Sequence, residues 1–269
     1  MNRPPHPDWS GWHDLPQQHY LIEPRCLAGG GDLRHITEHL RASGWKDRSR
    51  AAGPVVFDHP DRGLRVGFDP APPGRWTITG QASGHQPPWE AKFTARTPVE
   101  IIAGLTDALT QPPSAHAPNV WAPLDAQGWT TRSGQHVTAT SPDRNAFVQF
   151  HQPSPGQAHW WIGARNEHGR AWDAELSPTT PLYLVQALTT ALADPRPVMR
   201  PRGMFAPSDR IRTTSVSLRP SELGAWQQAR INSARAATWA RNAWATARPR
   251  SPRPSTAARV PAGHATGRR

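Results

Sequence analysis

Residues 89–109 read Trp-Glu-Ala-Lys-Phe-Thr-Ala-Arg-Thr-Pro-Val-Glu-Ile-Ile-Ala-Gly-Leu-Thr-Asp-Ala-Leu, and residues 172–192 read Trp-Asp-Ala-Glu-Leu-Ser-Pro-Thr-Thr-Pro-Leu-Tyr-Leu-Val-Gln-Ala-Leu-Thr-Thr-Ala-Leu. Each stretch opens with apolar residues at alternate positions: Trp89, Ala91 and Phe93, then Trp172, Ala174 and Leu176. Alternation of this kind marks a strand with one buried face. Each then passes through Thr-Pro, which predicts a helix with Thr97 or Thr180 as N-cap and Pro98 or Pro181 at its first position. Ile101, Ile102, Leu105, Ala108 and Leu109 form one helical stripe, repeated by Leu184, Val185, Leu188, Ala191 and Leu192.

The correspondence extends upstream at an offset of about 83 residues. Leu40, Gly44 and Trp45 match Leu124, Gly128 and Trp129; Pro60-Asp-Arg62 matches Pro142-Asp-Arg144. Val66 and Phe68 match Val148 and Phe150, and Trp76 and Ile78 match Trp160 and Ile162. The glycines are helix stops, and the two Pro-Asp-Arg segments are turns between strands 55–58 and 64–68 and between 135–140 and 147–150. The predicted fold is α+β: two tandem repeats, each a helix, a four-stranded antiparallel sheet and a helix, read as two domains or as two halves of one pseudo-symmetric domain. A basic C-terminal helix and a disordered tail follow. His19 to Glu23 is read as an added strand, Asp32 as a cap after a glycine turn, and Pro123 as shortening the second copy's first helix.

The expected boundaries are a disordered N-terminus at 1–18, a first repeat at 19–112, a linker at 113–119 and a second repeat at 120–194. A Pro/Arg-rich linker at 195–219, a basic Ala/Arg/Trp helix at 220–247 with Ser221 as N-cap, and a disordered basic tail at 248–269 complete the chain.

Several of these residues resemble an actinobacterial family known only as domain of unknown function 317. The resemblance rests on Pro24-Arg-Cys-Leu-Ala-Gly-Gly-Gly-Asp32, Leu40 to Trp45, Trp89-Glu-Ala-Lys-Phe-Thr94 and Thr97-Pro-Val-Glu-Ile-Ile102 with Leu105-Thr-Asp-Ala-Leu109. The second copy looks like a more divergent member. The resemblance implies a soluble protein with the domain in tandem, and implies no activity, cofactor or catalytic residue.

The 269 residues carry a formal charge of +11, unevenly placed. Residues 1–195 hold 16 Lys and Arg against 18 Asp and Glu, whereas residues 196–269 hold 15 Arg against Asp209 and Glu222 alone. A near-neutral body therefore precedes a cationic C-terminal region. Mean hydropathy is −0.68 and no run approaches the ~18 apolar residues of a membrane span. The start has no signal-peptide pattern, and the single Cys26 excludes an internal disulfide and a multi-thiolate metal site. A cytoplasmic protein without membrane association is expected.

Four features invite chemistry. His35-Ile-Thr-Glu-His39 fits the H-x-x-E-H zinc pattern, with His35 and His39 as ligands and Glu38 as general base. The second copy has Asn119, Ala122 and Pro123 there, so these are weak candidates and no metal or cofactor is expected. Gly29-Gly30-Gly31 lacks the Lys-Ser/Thr of a phosphate loop, and Cys26 lacks an activating neighbour. Trp45, Trp76, Trp89, Trp129, Trp160 and Trp172 occupy duplicated core positions, whereas Trp161 falls out of phase and aligns with Thr77, which makes it a candidate exposed contact.

The strongest signal is the C-terminal region. Arg230, Arg235, Arg241, Arg248, Arg250, Arg253, Trp226 and Trp244 are the candidate polyanion contacts; the interleaving of Arg and Trp suits Arg stacked on Trp over a polyanion, or a helix docked on the body with its Arg side chains exposed. The expected function is non-enzymatic binding, with DNA or RNA held through 196–269. A protein partner held by the tandem domains is the alternative, and a zinc-dependent enzyme the least favoured reading.

Overall fold

The computed structural model describes residues 14–111, 117–134, 136–152, 154 and 156–247, without the side chains of 224–227 and 240–247. Strand β1 (Gln17–Glu23) and helix α1 (Arg34–Ala42) come first. Five strands follow: β2 (Lys46–Asp47), β3 (Val55–Asp58), β4 (Leu64–Asp69), β5 (Arg75–Gly80) and β6 (Trp89–Thr94), and then α2 (Val99–Thr110). The second copy repeats this with α3 (Ala122–Asp125), β7 (Thr130–Arg132), β8 (Val137–Thr140), β9 (Ala146–His151), β10 (His159–Asn166), β11 (Gly169–Leu176) and α4 (Leu182–Ala193). β12 (Val198–Pro201), β13 (Arg212–Leu218) and α5 (Pro220–Ala247) end the described chain.

The mixed helix-and-sheet class holds, but the expectation of two four-stranded sheets does not. Each copy supplies five strands, and all ten join in one antiparallel sheet, in the order β2-β3-β4-β5-β6-β11-β10-β9-β8-β7. The missed strands β2 and β7 span two and three residues, too short to show an alternation.

The copies fuse about a pseudo-twofold axis. β6 pairs with β11 through Lys92↔Glu175, flanked by Ala91↔Leu176 and Phe93↔Ala174, so equivalent positions face each other at the centre of the sheet. On the helix side Gly104 approaches its own equivalent: a Cβ there would lie 2.8 Å from the Ala187 carbonyl oxygen and 2.5 Å from the Ala191 Cβ. This is the isologous geometry of a symmetric dimer, built within one chain. It removes the edge that β6 or β11 would otherwise expose.

The helix-side face of the sheet and the helical stripes make one core containing Trp76, Ile78, Phe93, Ile101, Leu105, Val148, Ile162, Leu184 and Leu188. All six duplicated tryptophans are buried in it. Alternate positions on the same strands, apart from buried Gly163, are half-buried or exposed and form the open face.

The helix starts differ from expectation. Pro98 and Pro181 themselves occupy the cap positions, without side-chain caps. Thr97 is buried with its hydroxyl unpartnered, and the Thr180 hydroxyl meets Ser177. At α5 the Asp14 carboxylate takes hydrogen bonds from the Ser221 amide and hydroxyl, at 2.9 and 2.8 Å, so Ser221 is a donor and not the cap acceptor. Asp32 does accept the Arg34 amide at 2.9 Å.

Residues 195–219 were expected as a linker, yet they contain β12 and β13, which flank β1 in an antiparallel three-stranded sheet. The reading failed because prolines and arginines suggested solvated chain, whereas β1 offers two strand edges that pair such extended segments. Ile22, Ala28 and Val198 form its small core. α5 then packs along α1 through half-buried Arg230, buried Ala234 and half-buried Thr238, whose methyl lies over Gly44.

Candidate functional site

The C-terminal arginines divide into those paired with the body and those that are not seen to be. Arg230 belongs to the first group. Its Nη2 donates to both Asp107 oxygens at 2.6 and 2.7 Å, and its Nη1 donates to the His35 carbonyl at 3.1 Å. Arg230 is thus corrected from polyanion contact to docking residue; its partner on α2 was invisible in the pattern of an isolated helix. Arg196 pairs with Asp194 at 2.6 Å and Arg212 with Glu23 at 2.8 Å. Arg235 is exposed, and Trp239 is 77% exposed. The side chains of Trp226, Arg241 and Trp244, and residues Arg248, Arg250 and Arg253, lie outside the described residues.

Arg200 explains the glycine turn. Its guanidinium donates to the Glu100 carboxylate at 2.7 Å twice, and to the carbonyls of Ala28, Gly29 and Met199 at 3.2, 3.0 and 2.8 Å. The loop turns carbonyls toward a cation, the reverse of a phosphate loop. Gly31 has φ +86°, and a Cβ there would meet the guanidinium at 2.9 Å. Burial would raise the Glu100 carboxyl, but the hydrogen bonds and charge of Arg200 outweigh it and hold the group below the usual carboxylate range.

The H-x-x-E-H residues face α5. His35, His39 and Arg230 share a cleft of about 220 Å³, and Glu38 is ion-paired with Arg41. Burial, with Arg230 nearby, brings His35 and His39 down to about 4. Burial raises Asp107 to about 6 even though Arg230 pulls the other way. His39 Nε2 lies 3.3 Å from Asp107 without an aligned hydrogen bond. A fixed guanidinium between these groups opposes a divalent cation. Among the described residues no cluster of three or more His, Cys, Asp or Glu converges as a metal site. Burial pushes the Cys26 thiol up, away from nucleophilic character.

The larger clefts do not select an anion. One of about 820 Å³ over α2 and α4 is lined by Arg25, Arg196 and Arg230 together with the carboxylates that pair with them, Asp194 and Asp107. Trp161 is partly exposed on the open face of β10, edge-on to Phe147 with ring centroids 5.0 Å apart. No described helix is long and apolar enough to cross a membrane.

The sequence profile of SPDY, a domain of unknown function (DUF317), matches residues 59–115 and 140–198. The chain carries this domain twice, in tandem. Each match enters at the β3–β4 or β8–β9 turn and runs through the last three strands to the closing helix, so the SPDY copies meet at the pseudo-twofold axis. Trp161 and Phe147 lie inside the second SPDY copy, whereas α5 lies outside both. Among curated proteins and solved structures, none shows significant similarity to the chain.

The reading of the residues missed Asp107, Glu100 and Phe147. The first two are partners contributed across the fold, with no local signal. Phe147 did have one: it stands at a solvent-face position where the first copy has Arg65.

Proposed function

We propose that the protein is a non-enzymatic binding protein whose basic C-terminal region contacts the phosphates of nucleic acid. One observation carries the reading. Beyond Arg230 the sequence holds eight arginines and no aspartate or glutamate. The Arg230–Asp107 pair supports it by fixing the start of this segment against the body, so the following charge is presented from one place. Such a segment gains affinity by releasing counterions and carries no sequence preference of its own.

The test is binding of a labelled duplex to the full chain and to a chain ended at Ala247, which lacks six of those arginines and keeps every described element. Full-chain affinity should fall ~10³-fold or more between 50 and 200 mM salt, and the shortened chain should lose most of that dependence. Salt-insensitive binding, or equal binding by both chains, overturns the reading.

A further inference from the structure

The duplication provides an internal control for the open face of the sheet. On the helix-covered face the copies keep like residues, Val66 with Val148, Trp76 with Trp160 and Ile78 with Ile162. On the open face they diverge: Arg65, Gly67, Thr77 and Thr79 in the first copy become Phe147, Gln149, Trp161 and Gly163 in the second. In the first copy Arg65 lies across from Thr79 and ion-pairs with Asp58 at 2.7 Å, an ordinary solvated face.

The second copy builds something different. Phe147 lies across from Gly163, and its ring occupies the space above that residue: a Cβ there would sit 3.0 Å from the ring. The ring meets Trp161 at an interplanar angle of 74°. Arg165 stands 5.0 Å from the Phe147 centroid and 5.9 Å from that of Trp161, and Arg170 stands 5.5 Å from Trp161. Both aromatic side chains are partly exposed. Trp161 borders a shallow hollow of about 360 Å³, walled also by Gln149, His151, His159, Arg170, Asp173 and Glu175.

The chemistry of the hollow selects its occupant. Trp161 and Arg170 wall the hollow and Phe147 and Arg165 stand beside it, a set of rings flanked by guanidinium groups that suits a flat conjugated ring. Gln149 and Glu175 offer acceptors, and Gln149 also donors, to the edge of such a ring, while Asp173 is ion-paired with Arg170 at 3.1 Å. A duplex, whose bases are already stacked inside, offers no free base face to these rings. An unpaired strand can place its bases on the rings and turn its phosphates outward.

We infer that the open face of the second copy is a stacking platform for the bases of single-stranded nucleic acid, with Trp161 and Phe147 as the platform. This rests on the nucleic-acid reading above and names the form of nucleic acid.

Trp161→Thr installs the residue that the first copy carries as Thr77, so the fold has a precedent for it. Full-length protein and variant are compared by fluorescence anisotropy with an oligothymidylate and an oligouridylate of about 20 nucleotides and a duplex of about 20 base pairs. The variant, checked for an unchanged circular dichroism spectrum and unfolding midpoint, should bind the single strands roughly 5- to 150-fold more weakly and the duplex equally. Phe147→Arg, which installs the residue that the first copy carries as Arg65, should do the same. The two single strands show whether DNA or RNA is preferred. Single-strand affinity unchanged in both variants overturns the platform and leaves the tail reading standing. Single-strand binding that depends on Trp161 but not on the residues after Ala247 overturns the tail reading and leaves the platform standing.

Discussion

Replacing Arg200 with methionine should unfold the clasp between the C-terminal strands and the first copy. The magnitude follows from what the change strands. Arg200 is 2% exposed and its guanidinium makes five hydrogen bonds, two of them to Glu100. Methionine fills part of the stem volume but leaves the Glu100 carboxylate without a counter-charge, its side chain 16% exposed, and three carbonyls without this donor. Removing one member of a buried ion pair costs about 3–5 kcal/mol, a large share of the ~5–15 kcal/mol that holds a typical domain. Urea unfolding followed by circular dichroism at pH 7 should therefore show a loss of about 3 kcal/mol or more. Adding Glu100→Leu should recover a good part of it, because the uncompensated charge goes too. The deficit of Arg200→Met alone should shrink in acid, where Glu100 takes up a proton. A loss below about 1 kcal/mol would show that the Arg200–Glu100 pair does not hold the clasp and that residues 195–219 behave as the linker their composition suggests.

Arg230→Met should loosen α5 without unfolding the body: amide exchange over residues 229–239 should speed by an amount worth about 1–2 kcal/mol, reduced from the fully buried case because the pair is 23% and 32% exposed. Global unfolding should move less. Stability should also fall as pH drops from 6.5 to about 4, because the folded state holds His35 and His39 neutral to about 4 and the unfolded chain then binds more protons. Asp107, raised to about 6, works in the opposite direction between about 4 and 6, but it is one group against two. The groups facing this pair are Arg230, Arg200, Glu100 and Asp32 for His35, and Arg230 and Asp107 for His39. Thermal melts of His35→Gln with His39→Gln should show that acid slope flattened; an unchanged slope contradicts the assignment. Gly104→Ala should cost about 1–3 kcal/mol in urea unfolding, because its Cβ meets Ala187 and Ala191 across the axis.

What the residues revealed of this fold depended on range. β4 to β6 and β9 to β11 were legible because tryptophans and aliphatic residues alternate twice in the same order. The closing helices were legible from their stripes. A pseudo-symmetric union of the copies was one of two open readings, but the joining edge was not legible, since it depends on Lys92 meeting Glu175 in register, a pairing between equivalent edges that no local pattern encodes. The three-stranded sheet was hidden for a similar reason: β12 and β13 are too polar to signal strands and are ordered by β1. Arginine read by itself suggests solvent. Only the tertiary partners Glu100 and Asp107 show that Arg200 and Arg230 are structural. Trp161 was visible as an out-of-phase aromatic, and its companions Phe147 and Gly163 carry the same divergence one register position away.

Contact between the basic C-terminal region and nucleic acid is read from the salt dependence of duplex binding by the full chain, followed by fluorescence anisotropy. The log–log slope should be steeper than about −5 and fall toward zero when the chain ends at Ala247, because six arginines contribute roughly 0.9 each. A slope near zero for the full chain, or the same slope for both chains, would contradict that contact.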